Sequence, residues 1–197
     1  MDSSGLDQVN KSLRRVADAL EAMRAANDLG TFEDRWSDLL NYASQTLNQV
    51  IASTKDGATK GWSDSIVHAL RIDDLLQYAR QARDTEFHGI KPITATKRGV
   101  MNIRATDQPV RIKQLKIVPR GSQLEVQAEH DGGLLMIEFV PDSVELAAVV
   151  NRGQTYEPPS EHLGQPIVRA TPVLVGEFLY EYLQRTVREA AVRLGLI

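Results

Sequence analysis

Three residues near the middle of the chain carry side chains suited to acid–base chemistry beside an anionic group: Arg83, Asp84 and His88. Histidine titrates close to neutral pH, so His88 can take up and return a proton. Arginine presents a fixed fork of donors that pairs with phosphate, so Arg83 can hold such a group. Asp84 precedes the histidine by four positions, which on a helix lets its carboxylate orient the imidazole.

The spacing of this motif limits how its members can meet. Five positions separate Arg83 from His88, which is about 140° around a straight helix. Gly89 and Pro92 follow the histidine and favour the end of a helix there. Either the helix ends between the arginine and the histidine, or a second chain supplies one of them.

The arginine, the polar residue after it and the later histidine resemble the active-site motif of the HEPN ribonuclease superfamily. Members of this family carry the motif on an all-helical dimer. The resemblance implies metal-independent cleavage of RNA across a homodimer interface, without a cofactor. His88 would be the acid–base, Arg83 would stabilise the phosphate and Asp84 would orient the histidine.

The same resemblance implies a biological setting, because such proteins are often toxins or antiviral effectors. A regulatory protein partner is then a further expectation. Two alternatives stay open. Arg83 can form a salt bridge with Asp73 or Asp74 while His88 only faces the helix dipole. The chain can also be a non-catalytic homodimeric scaffold whose sheet binds a ligand or partner.

Basic residues cluster directly after the motif. Residues 91–120 hold eight lysines and arginines and one aspartate, a net charge of +7 in a chain of net charge −3. Such a segment can track an RNA backbone, or it can be the solvated face of a sheet. The candidate substrate-binding residues are Arg80, Lys91, Lys97 and Arg98. For Arg80, a solvent-facing pair with Glu86 is the alternative.

Helical periodicity dominates the first ninety residues. One apolar stripe begins at Leu6 and predicts a helix that ends near Gly30, and Thr31 begins a second helix that runs to about residue 53. A third helix is predicted from about residue 62 to His88. Its apolar seam consists of Ala69, Ile72, Leu76, Ala79 and, at the next position, Arg83.

Short β-branched runs follow and predict an antiparallel sheet with strands at 100–104, 110–118, 124–128 and 134–139. The sequence 131–133, Asp-Gly-Gly, indicates a hairpin between the last two strands. Residues 144–150 fit either a helix or a strand, and 156–166 are irregular. Thr171 and Pro172 begin a final helix over 172–194.

These elements predict an α+β fold, in which an N-terminal helical bundle (HEPN-like) is combined with a small antiparallel sheet and a C-terminal helix. The expected domains are 1–92, helical and HEPN-like, and 93–197, an α+β module. The last helix is a candidate to complete the bundle, since HEPN-like bundles usually contain four or more helices.

Composition excludes several classes of site. The chain has no cysteine, so disulfides, thiolate nucleophiles and cysteine-bound zinc are absent, as suits a reducing cytosol. No apolar run approaches the ~20 residues of a membrane span, so a cytoplasmic protein without membrane contact is expected. Four scattered histidines predict no metal site. His162, in a proline-containing loop, is either functional or part of an ordered connector.

Overall fold

The fold is α+β, as the sequence predicts, and it divides into two units. The computed structural model describes residues 3–88, 94–97, 99–120, 123–140 and 143–197. The first unit comprises 1–96 and 144–197, and the second comprises 97–143. The strands β1 (Thr94–Lys97) and β6 (Ser143–Leu146) pair with each other.

Helices make up most of the first unit. They are α1 (Ser3–Ala25), α2 (Leu29–Thr54), α3 (Lys60–Ile72), α4 (Asp74–His88) and α5 (Pro172–Arg193), with a short 3-10 turn at Gly57–Thr59 before α3. The second helix begins earlier than predicted, because the side chain of Asp28 accepts a hydrogen bond from Thr31 N at 2.8 Å and caps it. Gly30 therefore lies in its first turn rather than at the end of α1.

The core lies where α5 packs against α1 and α2. Trp36, Leu39, Leu179 and Leu183 are fully or almost fully buried there. A Cβ at Gly176 would lie 3.0 Å from Leu39 Cδ1, so the lack of a side chain lets α5 approach closely. The predicted start of α5 is confirmed, because the Thr171 hydroxyl accepts a hydrogen bond from Leu174 N at 3.2 Å.

The predicted third helix is wrong in one respect, because it is two helices that meet at Asp73. This residue is extended, with ψ 124°, and ends α3, while its carboxylate accepts a hydrogen bond from Leu76 N at 2.9 Å and starts α4. The apolar seam does not continue across the break, since Ile72 is 63% exposed whereas Leu76 is buried.

Two small hairpins follow the second unit and pack against α4. One joins β7 (Val149–Asn151) to β8 (Gln154–Tyr156), and the other joins β9 (Glu161–His162) to β10 (Gln165–Pro166). Each has a two-residue turn with both φ angles positive, Arg152-Gly153 and Leu163-Gly164. Such turns match the twist of an antiparallel pair. The ambiguous segment 144–150 is therefore largely strand.

The second unit consists of two antiparallel pairs. Strand β2 (Val100–Ala105) pairs with β5 (Leu135–Val140), and β3 (Val110–Arg120) pairs with β4 (Gln123–Gly132). All four strands were predicted within a few residues of these bounds. Among the residues of this unit whose burial is described, none is fully buried.

The predicted hairpin at 131–133 is wrong, because β4 and β5 follow each other in the chain without pairing. The two glycines instead permit close backbone approach. A Cβ at Gly132, with φ 104°, would lie 2.5 Å from Pro109 O, and a Cβ at Gly133 would clash with Asp107 Oδ1. Asp107 lies between β2 and β3, and its Oδ1 accepts a hydrogen bond at 3.0 Å from the backbone N of Leu134, which lies between β4 and β5. This hydrogen bond links the two connections.

Candidate functional site

Helix α4 carries the candidate catalytic motif, and one of its faces is fixed by the hairpin segment 144–167. Tyr78 donates its hydroxyl to the carbonyl of Ala147 at 2.8 Å. One turn further on, Gln81 Oε1 accepts a hydrogen bond from Asn151 Nδ2 at 2.7 Å. Burial raises the pKa of the Tyr78 phenol, so this hydroxyl stays a donor across the ordinary pH range. The middle of the helix is therefore held by side-chain hydrogen bonds at two positions one turn apart.

The N-terminus of α4 is fixed by a buried hydrogen bond between a histidine and an aspartate. His162 Nδ1 lies 3.0 Å from Asp73 Oδ1, and Leu163 N donates to Asp73 Oδ2 at 2.7 Å. Burial alone raises the pKa of Asp73, but the hydrogen bonds from His162, Leu163 and Leu76 outweigh it and leave the pKa below its ordinary value. Since the carboxylate is ionised, Nδ1 carries the proton. His162 therefore belongs to an ordered connector, the second of its two interpretations.

The opposite face of α4 lines a cavity of about 450 Å³ between α2, α3 and α4. Its floor is aliphatic and partly belongs to the core, while its polar side chains are more exposed. The aliphatic lining consists of Leu40, Ala43, Leu47, Ile51, Val67, Leu70, Leu76, Ala79 and Leu179, and the polar lining of Ser44, Asn48, Arg71, Arg80, Arg83 and Asp84. Three arginines thus line a recess whose other walls are mostly apolar.

A polar groove of about 390 Å³ adjoins this cavity along α2. Its lining includes Asn41, Ser44, Gln45, Asn48 and Gln49, which recur at helical spacing on one face. Ser44, Asn48 and Arg83 line both spaces. The predicted phosphate-binding arginine therefore lies where an apolar recess and a groove of hydroxyl and amide groups meet.

Arg83 and Asp84 form an ion pair within the motif. Arg83 Nη1 donates to Asp84 Oδ1 at 2.9 Å, and the two side chains are 36% and 33% exposed. In the alternative interpretation, Arg83 would pair with Asp73 or Asp74. Those two residues lie at the other end of α4, where their carboxylates accept hydrogen bonds from His162 and Ser160. Arg83 therefore lines the cavity and forms an ion pair with the adjacent residue, Asp84.

The remaining predicted site residues are placed as follows. Arg80 is exposed and lines the cavity with Arg83 and Asp84. His88 is the last residue of α4, where the sequence predicts a helix end. Lys97 is exposed at the end of β1 and belongs to the second unit. Lys91 and Arg98 lie outside the described residues.

The basic segment faces acidic residues of its own sheet for part of its length. Arg111 pairs in register with Asp131, and Lys113 Nζ lies 2.8 Å from the same carboxylate. Further along, Gln114 faces Glu129. Opposite charges across an antiparallel pair stabilise the sheet. This pattern supports the interpretation of these strands as a solvated face.

Sequence reasoning missed Arg71 and the polar face of α2. Arg71 lies in the last turn of α3, and only the break at Asp73 turns this part of the chain toward the cavity. The spacing of Asn41, Ser44, Asn48 and Gln49 was a usable signal, since it marks a continuous polar stripe next to the buried one.

No group of three or more histidine, cysteine or acidic side chains suited to a metal ion occurs in the part of the chain that the structure describes. Within that same part, no helix has both the length and the apolar character needed to cross a membrane. Comparison with protein-family models, curated proteins and solved structures finds no match to this chain.

Proposed function

We propose that this chain is a metal-independent endoribonuclease of HEPN type whose site is the C-terminal half of α4. Arg80 and Arg83 hold the phosphate of the scissile bond. His88 transfers the proton, from the ribose 2′-hydroxyl or to the leaving oxygen. Asp84 is a positioning residue that orients the His88 imidazole.

One observation carries this proposal: Arg83 lines both the cavity and the polar groove of α2. A guanidinium there can bind a phosphate while the groove offers amides and hydroxyls to the flanking ribose and base edges. Single-stranded RNA presents such groups on each nucleotide, which suits a groove with several donors and acceptors on one face.

Two copies of the chain are part of the proposal. Arg83 and His88 lie on the same helix about 140° apart, so one helix does not direct both to one phosphate. A two-fold axis near the end of α4 would bring Arg83 of one protomer toward His88 of the other and create two equal sites. This arrangement uses α4 as an interface as well as a catalytic element.

Cleavage of RNA in EDTA tests the proposal. Purified wild-type chain is incubated with structured and single-stranded RNAs, beside His88→Ala and Arg83→Ala variants. His68→Ala and Arg14→Ala are matched controls, because both residues are exposed and neither lines the cavity or the groove. Cleavage that the controls retain and both site variants lose supports the nuclease. Equal cleavage by all five proteins indicates a contaminant and contradicts it.

A non-catalytic binding protein is the second candidate, and the sheet unit favours it. Ile112, Leu115 and Ile117 of β3 are 41%, 39% and 48% exposed. The pairing register, which shifts between Ile112 and Gln114, places all three on one face of the β3–β4 pair. An exposed apolar face of this kind is typical of a surface that binds a partner. Binding without cleavage by any preparation favours this candidate.

A further inference from the structure

We infer that the cavity between α2, α3 and α4 binds a single-chain anionic amphiphile, which in its simplest form is an alkyl phosphate. The inference rests on the lining of the cavity and does not depend on nuclease activity. In the proposed complex, the alkyl tail contacts the apolar floor of the cavity and the phosphate contacts the arginines.

The floor favours an aliphatic tail over a nucleobase. Among the described residues that line the cavity, all nine apolar side chains are aliphatic and none is aromatic. Proteins commonly bind unstacked bases on aromatic rings, which this cavity does not offer. Leu40, Leu76 and Leu179 are at most 2% exposed, so the recess reaches the core. A methylene chain that enters it would be removed from water on most sides.

The charged groups favour a phosphate monoester as the head group. Among the described residues of the lining, Arg71, Arg80 and Arg83 contribute three positive charges and Asp84 one negative charge, a balance of +2. A phosphate monoester carries about −1.5 to −2 near pH 7, which matches this balance better than a carboxylate does. Guanidinium groups also pair with phosphate oxygens through two parallel hydrogen bonds.

The size of the cavity is compatible with one such molecule. Its volume of about 450 Å³ lies within the range of small-molecule sites, roughly 300–1,000 Å³. The ligand would enter tail first from the side of the arginines, because these lie on the more exposed part of the lining. Affinity should therefore depend separately on tail length and on head-group charge.

Calorimetric titration of the full chain with hexyl, octyl and decyl phosphate, each below its micelle concentration, tests the inference. Each added methylene should lower Kd about fourfold, the factor that corresponds to the burial of one CH₂ group. Decanol and inorganic phosphate, which each lack one half of the ligand, should bind at least tenfold more weakly than decyl phosphate. A Kd that is independent of chain length would overturn the inference.

Four variants locate the site. Arg71→Ala should weaken binding of decyl phosphate by about tenfold or more, since it removes a charged donor. Asp84→Asn should tighten binding, because it removes the competing carboxylate. Ala79→Leu should reduce the dependence on tail length, because it fills the floor, and Arg14→Ala should change nothing. Unchanged binding in folded Arg71→Ala and Ala79→Leu proteins, checked by circular dichroism, overturns the assignment.

Two further comparisons separate this site from a lipid surface and from the nuclease. Cosedimentation with phosphatidylcholine vesicles that contain phosphatidic acid should show no binding, and vesicle binding without binding of monomeric decyl phosphate overturns the inference. Since the titrations contain no RNA, a failed cleavage assay leaves the result intact.

Discussion

Nδ1 of His162 lies 3.0 Å from Oδ1 of Asp73, although 89 positions separate the two residues in the chain. The contact joins a hairpin turn to the residue at which α3 ends and α4 begins. His162 is also enclosed by aromatic rings, with its ring centroid 6.0 Å from Phe178 and 5.9 Å from Tyr182. This pair fixes the start of the helix whose other end carries the candidate catalytic motif.

Replacement of Asp73 should lower stability in a pH-dependent way. The pKa of this carboxyl is lower in the folded chain than in the unfolded chain, where it is about 3.9. Its contribution is therefore complete above that value and is lost as the pH falls through the lower, folded pKa. Asp73→Asn should cost on the order of 2 kcal/mol at pH 7, where a charged hydrogen-bond acceptor is lost.

Urea denaturation from pH 3 to pH 7 measures this effect. The difference in unfolding free energy between wild type and Asp73→Asn should be nearly constant above pH 5 and should shrink below pH 4. Asp64→Asn is the control, because its carboxylate only pairs with Lys60 on the exposed surface. A difference that stays constant down to pH 3 would show that the ionised Asp73 carboxylate does not stabilise the fold.

Loss of the His162 imidazole should destabilise the protein without abolishing RNA cleavage. The residue is 8% exposed and donates to a buried carboxylate, so His162→Ala leaves Asp73 short of a partner and opens a cavity. We expect a loss of roughly 2–4 kcal/mol, as for other broken buried pairs or cavities. Thermal unfolding and cleavage at 10 °C measure the two properties. Lost cleavage in a folded variant would make His162 part of the site.

The helices and strands could largely be predicted from the sequence, because periodicity records which face of each element is buried. The boundary between α3 and α4 at Asp73 could not be predicted. The apolar residues from Ala69 to Arg83 keep a continuous 3.6-residue period across this boundary. A local signal existed in Asp73 itself, a residue type that caps helices. In the fold, its carboxylate also accepts hydrogen bonds from His162 and Leu163, which lie about 90 positions away in the chain, so no local pattern reveals them.

The pairing of the strands was harder to predict than their positions. The segment 131–133 has the composition of a tight hairpin turn. In the structure, its two glycines instead allow the backbone to lie close to Asp107 and Pro109. The residues of the candidate site also differ in how well the sequence indicates them. Arg83 stood out because it occupied an apolar position, whereas Arg71 is ordinary in sequence and becomes part of the cavity only through the α3–α4 corner.

Substitution of Gly133 should loosen the sheet unit. An added Cβ would meet the Asp107 carboxylate and displace it from Leu134 N and Gln108 N. Gly133→Ala should cost about 1–3 kcal/mol, as overpacking does elsewhere. Hydrogen exchange of β2 and β5 should accelerate accordingly. Gly61→Ala is the control, since nothing lies within 4 Å of a Cβ there and the helix gains a better former. Unchanged exchange in Gly133→Ala would contradict the close-approach explanation.

A mixture of two inactive variants tests whether the site is shared between chains. If Arg83 of one protomer serves His88 of the other, a heterodimer of Arg83→Ala and His88→Ala chains contains one complete site. Random exchange of subunits should then restore about a quarter of wild-type cleavage, since half the dimers are mixed and each has one of two sites. The assay compares the mixture with each variant alone. No recovery after verified subunit exchange places both residues in one chain.

The rate of RNA cleavage by His88→Ala, relative to wild type in EDTA, is the first measurement to make on the proposed nuclease. Wild type should leave 2′,3′-cyclic phosphate ends, and the variant should be slower by about 10²- to 10⁴-fold, the usual contribution of a general acid–base. His68→Ala should match wild type. If no RNA in a broad panel is cleaved by wild type, or if His88→Ala cleaves at the wild-type rate, the nuclease proposal is wrong.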